Sequence, residues 1–193
     1  QTYTGNNLEP KPSTVKDGGV TLVEGTDYTL SWSNNTNVGT ATVTITGKGN
    51  YAGTEVKTFT ITAKAVTVTV NDATKVYGAT DPKFDAKVEG LVGEDTLAIT
   101  CDRTTGEDVG TYEITAVVAE NANYAVTVIP GTLTITEATL PSAALEYETT
   151  VYDGSEKKPS VTIEGLTEGK DFTVAYTNNT NAGEATVTIT GIG

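Results

Sequence analysis

Apolar residues along this chain recur two positions apart, with threonine, serine or charge between them. Tyr28-Leu30-Trp32, Val43-Ile45, Phe59-Ile61, Val66-Val68-Val70, Leu97-Ile99-Cys101, Leu133-Ile135, Phe172-Val174-Tyr176 and Val187-Ile189 all follow this rule. A period of two marks a strand with one face on a core and the other in water. No window of a dozen residues carries a 3.6-residue period. The pattern therefore predicts an all-β protein with little or no helix, at most one short turn near Leu91–Thr96. Asparagine- and glycine-rich stretches punctuate the strands, notably Asn34-Asn35-Thr36-Asn37-Val38-Gly39 and its twin at 178–183. These residue types accept positive φ at low cost, so each stretch is expected to close a hairpin. Asn34-Asn35-Thr36 and Asn178-Asn179-Thr180 also spell the N-glycosylation acceptor pattern. Turn chemistry already accounts for those asparagines.

Self-similarity organises the strands into copies. The run from Gly25 through Trp32 to Gly39 reappears from Gly169 through Tyr176 to Gly183, and Val43-Thr44-Ile45-Thr46-Gly47 reappears as Val187-Thr188-Ile189-Thr190-Gly191. A diverged copy lies between them. Val38-Gly39-Thr40 matches Val109-Gly110-Thr111, Asn50-Tyr51-Ala52 matches Asn123-Tyr124-Ala125, and Phe59-Thr60-Ile61-Thr62 matches Leu133-Thr134-Ile135-Thr136. Each copy opens on a tyrosine: Tyr3, Tyr77 and Tyr152. Three tandem repeats follow, over 1–63, 64–138 and 139–193. The middle repeat reads as complete. The first is expected to lack its opening strand and the third its last, leaving sheet edges that could pair between neighbouring molecules. Only Ala63, Lys64 and Ala65 separate the last strand run of repeat one from the first of repeat two. So short a link predicts contact between neighbouring repeats, and an elongated, stiff array. A unit of this size is marginal alone, which makes such contact useful.

The middle repeat reads Lys75-Val76-Tyr77-Gly78-Ala79-Thr80-Asp81-Pro82, then Gly90-Leu91-Val92-Gly93-Glu94-Asp95, Val109-Gly110-Thr111-Tyr112, Asn123-Tyr124 and Thr132-Leu133-Thr134-Ile135. This series resembles the MBG domains of the Tyr-Gly-x variety, which occur in arrays on large bacterial surface proteins. The outer copies are similar to related repeats of adhesin-like proteins, with Trp32 where tyrosine is usual. The resemblance implies small Ig-like sandwich or β-grasp-derived modules at a bacterial cell surface. It carries over no catalytic residues.

Composition narrows the function further. The 193 residues include 25 Asp and Glu against 12 Lys and Arg, a net charge of -13, with no histidine and one cysteine. Threonine and valine make up nearly a third of the chain, as β-rich proteins favour. Without histidine there is no Ser-His-Asp or Cys-His catalysis and no histidine metal site. One cysteine permits neither an intrachain disulfide nor a zinc site of two thiolates. The strongly negative charge argues against nucleic acid, and no run is long and apolar enough to span a bilayer. The first residues lack both an initiating methionine and the features of a signal peptide, so the chain reads as an internal fragment of a longer protein.

Several residues invite chemistry, and each has a plainer reading. Trp32 could stack on a sugar, but its alignment with Tyr176 on a strand face predicts core packing. Cys101 lacks a histidine to activate it, and the sole glutamine is Gln1; a buried small hydrophobe is expected. Lys–Asn isopeptide bonds need a dry core that sequence cannot display. Asp81, Glu94, Asp95, Glu107 and Asp108 could offer oxygen ligands to calcium, yet they lack the spacing of a calcium loop and read as solvated surface. The threonine ladders Thr42-Thr44-Thr46 and Thr186-Thr188-Thr190 read as the wet face of a sheet. No catalytic, cofactor-binding or metal-binding set is assigned. The sequence thus predicts a non-catalytic, extracellular stalk segment. Its partners are the neighbouring repeats. The alternative is an adhesin module that engages host glycan or protein.

Overall fold

The computed structural model describes residues 1–192. Among the described residues it is all-β with no helix, and 46% of the chain is strand, divided among several small sheets. Repeat one contributes β1 (Lys16–Asp17), β2 (Val20–Thr21), β3 (Tyr28–Ser33), β4 (Gly39–Gly47) and β5 (Thr54–Ile61). Repeat two contributes β6 (Lys64–Val70), β7 (Ala73–Val76), β8 (Ala86–Glu89), β9 (Ile99–Arg103), β10 (Gly110–Val118), β11 (Tyr124–Ile129) and β12 (Gly131–Thr136). Repeat three contributes β13 (Ala144–Leu145), β14 (Val161–Thr162), β15 (Phe172–Thr177) and β16 (Thr186–Gly191). The turn expected near Leu91–Thr96 is a single β-turn, closed by the Asp95 N–H on the Val92 carbonyl at 3.0 Å.

The strands form sheets of order β3-β4-β5, β7-β12-β10-β9, β11-β6-β8 and β15-β16, with two-residue ladders β1-β2 and β13-β14. The chain clusters into two compact units. One holds Gln1–Ala73, Pro82–Gly106 and Thr111–Leu133; the other holds Thr74–Asp81, Glu107–Gly110 and the residues from Thr134 onward.

Internal repetition extends from sequence to strand register. Trp32 lies opposite Val43 and Leu30 opposite Ile45. Tyr176 lies opposite Val187 and Val174 opposite Ile189, the same pairs displaced by 144. Val70 pairs Ala86 between β6 and β8, and Leu145 pairs Val161 between β13 and β14. Both hairpin turns use the same backbone device. Asn34 and Asn178 adopt φ of +53° and +57°, and Gly39 and Gly183 adopt +138° and +139°. This is the conformation for which asparagine and glycine are suited.

Burial follows the pleat. On β4, flanked on both edges, Ala41, Val43 and Ile45 are buried while Thr42, Thr44 and Thr46 on the other face are half-buried. On the edge strand β5, Glu55 and Lys57 lie opposite Ile45 and Val43. They form an ion pair at 2.7 Å above that apolar row. Charges on an edge strand discourage further pairing. In the first unit Tyr3, Ala41, Ile61, Val66, Val68 and Tyr124 form one buried cluster, so repeats one and two share a core. In the second unit Val161, Ile163 and Phe172 form another, packed by Leu145, Leu166, Val174, Val187 and Ile189.

The same strand offers an internal control on this assignment. Ile61 is 1% exposed and Val56 is 57% exposed, both on β5. Ile61→Ala should cost about 2–5 kcal/mol in urea unfolding, whereas Val56→Ala should stay within about 0.5 kcal/mol.

Candidate functional site

The most elaborate side-chain arrangement in the first unit is a joint between repeats one and two. Tyr3 reaches it because its N–H donates to the Thr62 carbonyl at 2.9 Å, tying the start of repeat one to the end of its last strand. Tyr124 reaches it as the first residue of β11, which runs parallel to β6 with Tyr124 opposite Lys64. Asp95 is delivered by the turn that starts at Val92, where Gly93 adopts a φ of +54°. The two tyrosines meet edge to face, with ring centroids 5.5 Å apart and planes at 84°. That geometry sets the positive edge of one ring against the negative face of the other. Both hydroxyls donate to one carboxylate oxygen, Asp95 Oδ2, Tyr3 at 3.1 Å and Tyr124 at 2.5 Å. The Val92 N–H donates to the Tyr124 oxygen at 3.1 Å.

Asn123, next to Tyr124, completes the joint. Its Oδ1 accepts from the Val38 N–H at 3.0 Å, and its Nδ2 donates to Asn37 Oδ1 at 3.1 Å. Its backbone carbonyl accepts from the Lys64 N–H at 3.0 Å. One asparagine thus holds the β3–β4 turn of repeat one beside the first strand of repeat two. Burial, then the Asp95 hydrogen bond, raises the pKa of Tyr3 and of Tyr124 above the usual 10.0.

A second cluster belongs to the other unit. Lys75 is buried, and its Nζ donates to Asp81 Oδ1 at 2.6 Å and Glu107 Oε2 at 2.5 Å. Hydrogen bonds to Asp81, then Glu107, raise the Lys75 pKa above the usual lysine value, against the opposing effect of burial. The amine faces carboxylates rather than an asparagine amide.

The residues weighed from sequence are distributed as follows. Trp32 is half-buried, and its indole N–H donates to the Pro10 carbonyl at 3.2 Å. Tyr176 makes the matching bond to the Pro159 carbonyl at 2.6 Å, so tryptophan and tyrosine interchange here because each carries a donor at its tip. Cys101 is a free thiol opposite Ala116. It is half-buried rather than buried, because β9 is the outer strand of its sheet. The carboxylates expected on a solvated surface are not uniform. Asp81 and Glu107 converge on Lys75, Asp95 serves the tyrosine pair, and Glu94 is exposed. Among the described residues no three such groups gather at one point.

Sequence reasoning missed the roles of Asp95, Asn123 and Lys75. One signal was available for Asn123: the Asn-Tyr-Ala triplet recurs at 50–52 and 123–125.

The ordered tyrosine, glycine and asparagine positions of the middle repeat find their counterpart in a known domain. Residues 66–134 match the MBG domain (YGX type) family. No curated protein matches the chain. The MBG-matched segment contains Tyr124, Asn123 and Asp95, so much of the joint is built by that segment and closed by Tyr3, Asn37 and Val38 from the preceding repeat.

Two measurements test the joint. Asp95→Ala strands two tyrosine hydroxyls without their acceptor, whereas Asp95→Asn keeps an oxygen in place. The alanine variant should melt about 2–4 °C below the wild type, and the asparagine variant should fall between them. Alkaline titration gives the second. A tyrosine whose pKa is higher folded than unfolded adds stability that is intact below about pH 10 and lost as pH climbs through the folded value. Ultraviolet titration should therefore show a late phase absent from the Tyr3→Phe/Tyr124→Phe double variant.

Proposed function

We propose that this chain is a non-catalytic spacer segment of a bacterial surface protein, in which tandem β modules hold other domains away from the cell. The observation that carries the reading is the joint in the first unit. Repeats one and two share a buried cluster, and only Thr62 and Ala63 lie between β5 and β6, which leaves little slack between them. Tyr3, Asp95, Tyr124 and Asn123 add directional bonds that a loose linker would not need. The MBG match supports a surface-protein repeat module. The absence of histidine and the net charge of -13 fit a soluble, passive role better than catalysis.

Binding of host glycan through Trp32 is less well supported, since its indole N–H is already committed to Pro10. Spin labels at Val20→Cys and Val117→Cys in a Cys101→Ala background place one probe on each repeat, at positions 61% and 72% exposed. Pulsed electron-resonance distances should form one narrow distribution. A broad distribution, or specific capture on a glycan array, would replace the spacer reading.

A further inference from the structure

The chain enters and leaves repeat two through segments that lie side by side and point the same way. β6 opens the repeat, and only Asn71 and Asp72 separate it from β7; β11 leads into the closing strand β12 across Pro130 alone. β6 and β11 pair in parallel over six residues, from Lys64 opposite Tyr124 to Thr69 opposite Ile129. The segments stay together where both strands end. A Cβ added at Gly131 would stand 2.8 Å from the Val70 and Asn71 carbonyl oxygens, and the Thr132 N–H donates to Asp72 Oδ1 at 2.8 Å. In the second unit the Tyr77 N–H donates to the Thr136 carbonyl, also at 2.8 Å. β6 and β11 are displaced by 60 residues, and the parallel bridge between Thr2 and Thr62 gives repeat one the same displacement.

Parallel direction decides how such a pair meets tension. Pulling on the chain draws β6 back from its N-terminal end, at Lys64, and β11 onward from its C-terminal end, at Ile129. In a parallel pair those ends lie at opposite extremes, roughly 17 Å apart. The strands must therefore slide past each other, and every rung of the ladder is loaded at once. An antiparallel hairpin takes the same load at one end and opens rung by rung.

Two features reinforce the ladder. One of its faces is sealed from water: Val66 and Val68 are 2% and 0% exposed, and Val126 and Val128 pack against the same cluster. On its other edge β6 is held by β8, from Thr67 opposite Glu89 to Val70 opposite Ala86. That second ladder keeps β6 in place while β11 is drawn along it.

We infer that the β6–β11 ladder is a shear clamp, a force-bearing element that keeps repeat two folded while the chain on either side is under tension. The clamp rests on the spacer reading for its use, since a segment that holds other domains at a distance transmits whatever load they meet. Its geometry stands apart from that reading.

Single-molecule force spectroscopy tests it on the whole chain in the Cys101→Ala background, with handles on two cysteine pairs. Ala63→Cys with Thr132→Cys pulls the ladder from opposite ends; Ala63→Cys with Ala122→Cys pulls it from one end. At equal loading rate the first pair should unfold at a force at least about twice that of the second. A single rung gives another readout. The Lys64 N–H donates to the Asn123 carbonyl at 3.0 Å, and alternation then aims the Thr127 N–H at β6. Thr127 is exposed, so Thr127→Pro removes that rung without touching the core. The force in the first geometry should fall toward that of the second, with the second little changed. Equal forces in the two geometries would overturn the clamp, whether or not the proline variant folds. So would a folded Thr127→Pro chain whose force in the first geometry is unchanged. Either result leaves the spin-label distances, and with them the spacer reading, standing.

Discussion

A strand can bury one face fully only when neighbours flank both its edges, because each neighbour contributes both a row of hydrogen bonds and a row of side chains. Much of this protein depends on that constraint. It makes β4 the best-buried element of its sheet, since β3 and β5 close over it. It leaves β9 as an outer strand whose inward-facing residues, Cys101 among them, are half-covered. Segments 39–47 and 183–191, identical except at Thr40 and Glu184, differ in burial accordingly, β16 pairing with β15 alone among the described residues.

The joint between repeats one and two is the same constraint met by different means. A small β module has too little interior to be comfortable alone, and here the shortage is relieved by sharing. Tyr3 from one repeat and Tyr124 from the next enter a single apolar cluster with Ile61, Val66 and Val68. Their hydroxyls cannot be left without partners in such surroundings, and Asp95 accepts both. The apolar contact brings the modules together; the carboxylate and Asn123 define one orientation for the contact. Burial thus supplies cohesion and hydrogen bonds supply geometry.

Much of the fold was legible in the pattern of residues, and the exceptions are instructive. Every alternating run forms part of a strand, although Leu97 lies just outside β9. The asparagine-glycine turns adopt the positive φ their residue types favour. β11 was overlooked even though Tyr124, Val126 and Val128 alternate correctly, and its partner is the surprise. It pairs in parallel with β6 across more than fifty intervening residues, and nothing local announces so distant a neighbour. Among the side chains with chemistry, Trp32 is half-buried rather than packed in the core as its alignment with Tyr176 suggested, and its indole N–H is held by the Pro10 carbonyl. Asp81, Asp95 and Glu107 were read as one acidic surface because sequence registers charge but not direction.

The sequence by itself determined the class of structure and, for most strands, the side that faces inward. These follow from a two-residue period and from turn residues, both of which act over a few bonds. Tertiary structure alone decided which strands lie side by side and which carboxylate meets which cation or hydroxyl. Those choices join residues far apart in the chain, such as Tyr3 with Asp95 and Val38 with Asn123. The energy that selects them comes from burial and hydrogen bonds formed only once the modules have closed on one another.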